Sequence, residues 1–350
     1  MSQRKVCVIL GAGASHDIAG EGSPLINGDF QPPLALDLFD IARHPVYWNV
    51  MQHYNGAAVL SQELAPLILS GEISIEKELR RYAEHKDERI KQHFKHIPAY
   101  LRDLLFRAST EYTQVPSSYI RLIIKLLADY PHDVLFITLN YDNLLESALE
   151  RFDSRLQFRG IEEYVADGRQ AMVVKLHGSI NWFRRLPGGK GAQWNSTVAD
   201  LDISEKVPEG SILIADKVHT VGQEIRDEHK LYPILTAPLA GKGLIDVVCP
   251  ESHATAAKQF MNTCSKFLII GTSGLDGDLL SLLDSAVIPN SRPIVHIVDT
   301  GEGAKKTRVR FEEGVRAFRK TRQNPSESTF NEGFRNYLSS QQLRVFLESE

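Results

Sequence analysis

Residues 5–15 read KVCVILGAGAS, an apolar run that leads directly into a glycine-rich segment. Lys5 to Leu10 form a short run of mostly branched apolar side chains, which is typical of a strand buried in a parallel sheet. Gly11 and Gly13 follow at once and predict a tight turn into a helix. The stretch therefore predicts the first strand of an α/β fold.

The later part of the chain alternates strand and helix patterns. Further strands are predicted at Asp133–Leu139, Ala171–Leu176, Lys266–Ile270 and Pro293–Val298, with a weaker one at Ser211–Ala215. Helical patterns lie between several of them, at Asn143–Phe152, His253–Cys264 and Leu275–Val287. This alternation favours a Rossmann-like parallel sheet with helices on both faces.

Two segments depart from that alternation. Residues 34–130 show apolar residues at three- and four-residue spacing, which indicates about five helices and almost no strand. We predict that they form a helical insertion into a core made of residues 1–33 and 131–350. Residues 184–250 are rich in Gly, Pro and Asp without clear periodicity, which predicts a long irregular excursion.

Composition narrows the class of protein. The chain has 350 residues, 43% of them hydrophobic and 24% charged, which is ordinary for a soluble globular protein. Its formal net charge of −4 argues against direct nucleic-acid binding, which usually needs a basic excess. The N-terminus reads as a strand rather than a signal peptide, and no apolar run is long enough for a membrane helix.

The cysteines carry a separate prediction. Cys7, Cys249 and Cys264 are the three cysteines of the chain, and no two of them form a CxxC pair. A four-cysteine zinc site is therefore excluded within the chain, and we expect no bound zinc. A sparse, odd number of cysteines suits a reducing compartment, so we expect a cytoplasmic protein.

The glycine turn GAGAS is the first of several motifs at predicted strand ends. Glycines allow a backbone to approach a phosphate closely, and a following helix directs free N–H groups there. The spacing is G-x-G, but the sixth position is His16 rather than glycine, so this is not the standard dinucleotide fingerprint. A plain strand-to-helix turn without a ligand is the alternative.

Asn140 and Asp142 follow the predicted strand in FITLNYD, at the edge where open α/β sheets bind ligands. Helix capping is the alternative for both, since Asn and Asp are favoured at helix starts. His177 follows the next strand in KLHGS, and a histidine there could act as a general base or be structural. Gly178 would leave space beside it.

A second small-residue turn, Gly271-Thr272-Ser273, ends the strand that follows. Its hydroxyl groups could bind a phosphate or a ribose, or the segment could be a simple turn. Asp299 ends the last predicted strand and could reach a ribose or cap a turn.

The four motifs GAGAS, TLNYD, KLHGS and GTS, in this order, resemble the NAD site of the sirtuin family. The prokaryotic sirtuin-like branch looks most similar, because PPLALDLF (Pro32 to Phe39) and helices follow the first motif. The resemblance implies that NAD lies across the carboxyl edge of the sheet. It assigns the pyrophosphate to Gly11, Ala12, Gly13 and Ser15, and the adenosine-side phosphate or ribose to Thr272 and Ser273. Gly271 and Asp299, at the same predicted edge, are also expected to contact the cofactor.

The same resemblance assigns the reacting end of NAD. It implies that Asn140 holds the nicotinamide-side ribose and places a water, that Asp142 supports the nicotinamide pocket, and that His177 is the base. Two features depart from the deacylating sirtuins: the paired-cysteine zinc module is missing, and Leu139 stands where those enzymes usually have glutamine. NAD hydrolysis by water is therefore the leading hypothesis. The alternatives are an NAD-dependent protein deacylase, an ADP-ribosyltransferase, or a sensor that binds NAD or ADP-ribose without turnover.

The sirtuin-like branch is associated with prokaryotic antiviral defence, in which NAD depletion stops the infected cell. Its members are usually homo-oligomers, and some work with a second protein such as a HerA-type ATPase. The resemblance implies these partners for the present chain as well.

Overall fold

The computed structural model describes residues 4–17, 31–69, 75–112, 117–187, 193–203, 205–215, 225–226, 229–236 and 248–349. Within them the strands are β1 (Lys5–Leu10), β2 (Asp133–Thr138), β3 (Ala171–Lys175), β4 (Gly178–Arg185), β5 (Leu213–Ile214), β6 (Ile225–Arg226), β7 (His229–Leu235), β8 (Lys266–Ile270), β9 (Ile294–Val298) and β10 (Thr329–Phe330).

The helices of the first half are α1 (Ala12–His16), α2 (Pro45–Met51), α3 (Asn55–Leu69), α4 (Ile75–Ala83), α5 (Glu88–Phe94), α6 (Ile97–Tyr112), α7 (Ser118–Ile124) and α8 (Leu144–Phe152). Those of the second half are α9 (Trp194–Ala199), α10 (Glu251–Met261), α11 (Gly277–Ala286), α12 (Gly303–Gly314), α13 (Pro325–Ser328), α14 (Gly333–Tyr337) and α15 (Gln341–Glu348).

A parallel sheet forms the centre of the molecule. Its strand order is β10-β9-β8-β1-β2-β3, and every neighbouring pair is parallel. Val6 of β1 pairs with Val134 on one side and Lys266 on the other. The chain builds the sheet outward from β1 in one direction and then, from β8, in the other. This is the doubly wound order, which opens a ligand crevice at the carboxyl ends of β1 and β8.

The two faces of this sheet carry separate cores, as the period-2 alternation of a strand requires. Val6, Val8 and Leu10 face a core that includes α7, α8 and α15. Cys7 and Ile9 face the opposite core, which includes α10, α11 and α12. The prediction of a Rossmann-like sheet covered on both faces is confirmed.

A second lobe, the helical lobe, packs helices α2 to α6 around an antiparallel sheet of order β5-β4-β7-β6. Its core joins side chains of α2 to α6 with Ile180 and Phe183 of β4 and Tyr232 of β7. In α6, the buried Arg102 guanidinium donates to the main-chain oxygen of Ile180 at 2.9 Å and pairs with Asp103 at 2.9 Å. The helical segment is thus held to the chain that leaves β3.

Several sequence predictions need correction here. The weak strand at Ser211–Ala215 is only β5, and it joins the antiparallel sheet rather than the parallel one. The segment 184–250 is not wholly irregular, because β7 pairs with β4. The rest of that excursion, residues 188–192, 204, 216–224, 227–228 and 237–247, lies outside the described residues. The edge strand β10 was missed, since two residues are too few to show a pattern.

Candidate active site

The turns after β1 and β8 are packed against each other. The backbone N–H of Gly11 donates to the oxygen of Ile270 at 3.0 Å, and that of Gly13 donates to the oxygen of Gly271 at 2.9 Å. A Cβ on Gly13 would lie 2.9 Å from the Cα of Gly271, and one on Gly11 would lie 2.5 Å from the Gly271 oxygen. Gly271 itself has φ of +61°, which favours glycine. These glycines are therefore required by the contact between the two turns.

A buried cluster of polar side chains joins α1, α7 and the loop after β2. Ser15 Oγ donates to Asp142 Oδ2 at 2.7 Å, and it lies 2.9 Å from the hydroxyl of Tyr119. A carboxylate only accepts, so the proton of Ser15 is committed to Asp142 and Tyr119 must donate to Ser15. Burial, with the nearby Asp142 second, raises the pKa of Tyr119 well above its ordinary value and keeps it a donor.

Asn140 is held by this cluster in one orientation. Its Nδ2 lies 2.9 Å from the main-chain oxygen of Gly11, 3.0 Å from Ser15 Oγ and 3.4 Å from the Tyr119 hydroxyl. The Gly11 oxygen can only accept, so the amide nitrogen must face it. Oδ1 then faces the other way, and it accepts no hydrogen bond from the described residues. The side chain thus presents a fixed acceptor at the carboxyl end of β2.

Asp142 caps a helix, as the alternative for both residues predicted, but Asn140 does not. Asp142 Oδ1 accepts from the backbone N–H of Leu144, at the start of α8, at 3.1 Å. Asn140 bonds instead to the turn after β1 and to α7, which are far away in sequence. Asp142 therefore caps the start of α8 with Oδ1 and holds the Ser15 hydroxyl, which orients Asn140, with Oδ2.

A buried ion pair lies beneath this loop. Lys175, the last residue of β3, donates from Nζ to the main-chain oxygen of Asp142 at 2.5 Å and to Glu146 Oε1 of α8 at 2.9 Å. Both side chains are almost fully buried. Burial raises the pKa of Glu146, and the charge of Lys175 opposes that rise. The pair ties β3 to the loop that carries Asn140.

His177 lies two residues beyond β3, at the same edge of the sheet. Its Nε2 is 2.9 Å from Asp276 Oδ2, and the side chains are 19% and 22% exposed. Burial by itself would raise the pKa of Asp276, but the hydrogen bond from His177 and its charge, with backbone N–H groups of α11, hold that pKa below its ordinary value. The ring of Tyr141 lies 6.2 Å from that of His177, between centroids.

Gly178 is required by its backbone conformation and by the close approach of β7, while the space that it would leave for a ribose beside His177 stays a prediction. Its φ is +80°, and a Cβ would lie 2.1 Å from the main-chain oxygen of Ile234 in β7. Glycine is needed because the chain turns here directly from the parallel sheet into β4. The buried Ser179 donates to the main-chain oxygen of Tyr141 at 3.3 Å and so supports the same loop.

The GTS turn and Asp299 complete the edge. Thr272 is buried, and its main-chain oxygen accepts from Thr307 of α12 at 2.9 Å, whereas Ser273 is exposed. Arg310 donates to the main-chain oxygen of Ser273 at 2.7 Å and brings a positive charge to this turn. Asp299 follows β9 and accepts from the N–H of Thr300 at 2.8 Å, and burial raises its pKa.

The structure thus brings most of the predicted site residues into two contacting groups. The glycine turns form one, with Ala12 opening α1 between them, and Ser15, Asn140 and Asp142 form the other. His177 and Asp299 share the edge, but no hydrogen bond joins either to those groups in the described part of the chain. Sequence reasoning missed Tyr119, Asp276 and Lys175. The position of Asp276 before α11 predicts a helix cap, but no local sequence pattern predicts its contact with His177.

Among the described residues no group of three His, Cys, Asp or Glu side chains could hold a metal ion. Within the same residues no helix combines the length and apolar character that crossing a bilayer requires.

Comparison with known proteins gives the family. The chain has a low similarity to two solved structures. One is a Sir2 homologue in complex with NAD, which is 14% identical, covers 91% of each chain and has a TM-score of 0.40. The other is a Sir2 homologue mutant in complex with ADP-ribose, which is 13% identical, covers 91% of this chain and 93% of that one, and has a TM-score of 0.39. This similarity carries no functional assignment. No curated protein matches the chain significantly. The family model described as the SIR2-like domain matches residues 134–316, slightly more than half of the sequence and a span that includes Asn140, His177 and Asp276. The chain belongs to the SIR2-like domain family.

Proposed function

We propose that the chain binds NAD+ along the carboxyl edge of its parallel sheet and hydrolyses the bond between nicotinamide and ribose. The observation that carries the proposal is the orientation of Asn140, whose amide nitrogen is fixed on Gly11 and Ser15 while Oδ1 is left as an acceptor. An acceptor at this position suits a ribose hydroxyl or a water. His177, at the end of the neighbouring strand, supplies a base.

The proposed reaction needs little from the protein beyond orientation and one base. The bond between C1′ and the nicotinamide nitrogen breaks, and its electron pair stays on nicotinamide. Positive charge builds on the sugar, and the oxygen of a water held by Asn140 bonds to C1′. The proton of that water goes to His177, and the products are nicotinamide, ADP-ribose and a proton. Positioned proton transfer of this kind contributes on the order of 10²- to 10⁴-fold in rate.

The remaining site residues have proposed roles in binding. Gly11, Ala12, Gly13 and Ser15 would hold the pyrophosphate, and the Ser15 side chain also supports Asn140. Gly271, Thr272, Ser273 and Asp299 would meet the adenosine side, where Arg310 adds a positive charge that suits a phosphate. Asp142 would support the nicotinamide pocket from beneath.

Water is favoured over an acyl-lysine acceptor for two reasons in the sequence. The three cysteines cannot form the paired-cysteine zinc module of the deacylating sirtuins, and Leu139 replaces their usual glutamine. Purified protein is therefore expected to contain no stoichiometric zinc, which elemental analysis can check.

The test is incubation of the full chain with NAD+, with nicotinamide and ADP-ribose separated by chromatography, with and without an acetylated peptide. Wild type is expected to release both products without peptide. Asn140→Ala and His177→Ala should each abolish release. The double variant should release nicotinamide hardly more slowly than either single variant, because the effects of groups that serve one transition state are not additive. The exposed His53→Ala serves as the matched control. Release that depends on the peptide would indicate a deacylase, and binding without release would indicate a sensor.

The biological role follows from the family resemblance alone. We propose that NAD depletion by this chain serves prokaryotic antiviral defence, that it acts as a homo-oligomer, and that a partner such as a HerA-type ATPase takes part. Exposed apolar side chains of the helical lobe, among them Leu36 and Trp48, support self-association. Sedimentation that shows a monomer at micromolar concentration would contradict the oligomer.

A further inference from the structure

The pair formed by His177 and Asp276 joins two distant parts of the chain. Asp276 is the residue before α11, and its Oδ1 accepts from the backbone N–H of Leu279 at 2.7 Å. Its Oδ2 lies 2.9 Å from Nε2 of His177, which follows β3 at the far side of the sheet. Capping of α11 explains the first contact and leaves the second without a structural purpose.

The contact decides which nitrogen of His177 carries the proton. A carboxylate only accepts, so Nε2 must donate to it. In the neutral imidazole the other nitrogen, Nδ1, is then the basic one, and it makes no hydrogen bond to a residue that the structure describes. Among the described residues, Asp276 is the charged group that contacts the ring, Tyr141 lies beside it, and Lys175 of the same segment is directed to Glu146.

We propose that Asp276 is a positioning residue, which holds His177 in the Nε2–H tautomer so that Nδ1 is the atom that takes the proton from the attacking water. The inference rests on the proposed NAD cleavage for its kinetic consequence. The predicted tautomer of His177 follows from the hydrogen-bond geometry alone and does not depend on the proposed function. As His177 gains a proton, the same carboxylate stabilises the imidazolium that forms.

Two substitutions separate this role from capping, because Asn and Ser cap helices about as well as Asp. In Asp276→Asn, Oδ1 is still held by the N–H of Leu279, so the amide nitrogen faces His177 and donates to it. Nε2 must then be the unprotonated nitrogen, and Nδ1 loses its basic lone pair. In Asp276→Ser the side chain is too short to reach the ring, so orientation is lost but no wrong tautomer is imposed.

Kinetics give the first readout. We expect Asp276→Asn to lower kcat by on the order of 10²-fold or more, as removal of a carboxylate that fixes a catalytic histidine does elsewhere. Asp276→Ser should lower kcat less than Asp276→Asn does, because it removes the orientation of the His177 ring without imposing the wrong tautomer. Asp87→Asn, at the cap of α5 in the helical lobe, is the matched control and should leave kcat unchanged.

Nitrogen NMR of the histidine rings gives a readout that needs no activity. Wild type should show His177 with a protonated Nε2 and a basic Nδ1, and Asp276→Asn should show the reverse, with His177→Gln used to assign the signals. A protonated Nδ1 in neutral wild-type His177 would overturn the proposal. A wild-type kcat in Asp276→Asn would overturn it as well. If wild type does not cleave NAD+, the proposed function fails, while the ring signals still decide the tautomer.

Discussion

Replacement of Asn140 by alanine tests the candidate site most directly, because the structure predicts separate effects on stability and on turnover. The change removes the amide nitrogen that lies 2.9 Å from the Gly11 oxygen and 3.0 Å from Ser15 Oγ. Gly11 keeps a second partner, the N–H of Ala14 at 2.9 Å, so its oxygen is not left bare. Each lost bond is worth about 1 kcal/mol net, so the free energy of unfolding should fall by about 1–3 kcal/mol.

Turnover should fall much further than stability. The alanine also removes Oδ1, the acceptor that the proposal assigns to the ribose or the water. Release of nicotinamide should drop by at least about 10²-fold, under conditions in which urea denaturation shows the variant still folded. A variant that loses the predicted stability and still turns over NAD+ at the wild-type rate would show that Asn140 has no part in turnover.

The control for this experiment is a variant that removes another buried hydrogen bond, away from Asn140 and the other candidate site residues. Tyr337→Phe removes the hydroxyl that lies 2.8 Å from Nδ1 of His296 in β9. It should lower the free energy of unfolding by about 1–3 kcal/mol and leave turnover intact. Equal losses of turnover in the two variants would mean that the activity follows stability rather than Asn140.

Three further predictions follow from buried groups. Burial lowers the pKa of His253 to about 4, so the unfolded chain binds this proton more readily and His253 should contribute a fall in stability of up to about 3 kcal/mol as pH drops from about 6.5 to 4. His253→Phe should make that part of a urea-midpoint profile shallower, while the buried His96 and His296, whose pKa values are also lowered to about 4, keep the rest of the slope. Lys175→Met should cost about 3–5 kcal/mol in the same assay by leaving Glu146 buried without its cation, and Glu146→Leu added to it should restore much of the loss. Gly13→Val should cost about 1–3 kcal/mol through its clash with Gly271 and should remove NAD binding in calorimetry; normal binding would make the turn purely structural.

Local patterns in the sequence determined the parallel sheet. A strand buried on both faces is a short run of branched apolar residues, and such runs predict β1, β2, β3, β8 and β9 without reference to their neighbours. Because parallel strands end at one edge, the same reading also predicts that Asn140, His177 and the glycine turns share that edge.

Tertiary structure alone decided which polar atoms meet there. Tyr119 reaches Ser15 from 104 positions away, and Asp276 reaches His177 across the sheet. Hydrogen bonds of this kind depend on the relative placement of whole elements to within a few tenths of an ångström, and no spacing rule within one segment carries that information. The antiparallel sheet was missed for a related reason. Side chains of β4 and β7 are buried in both the core of the parallel sheet and the core of the second lobe, so their pairing depends on packing against elements distant in sequence rather than on their own pattern.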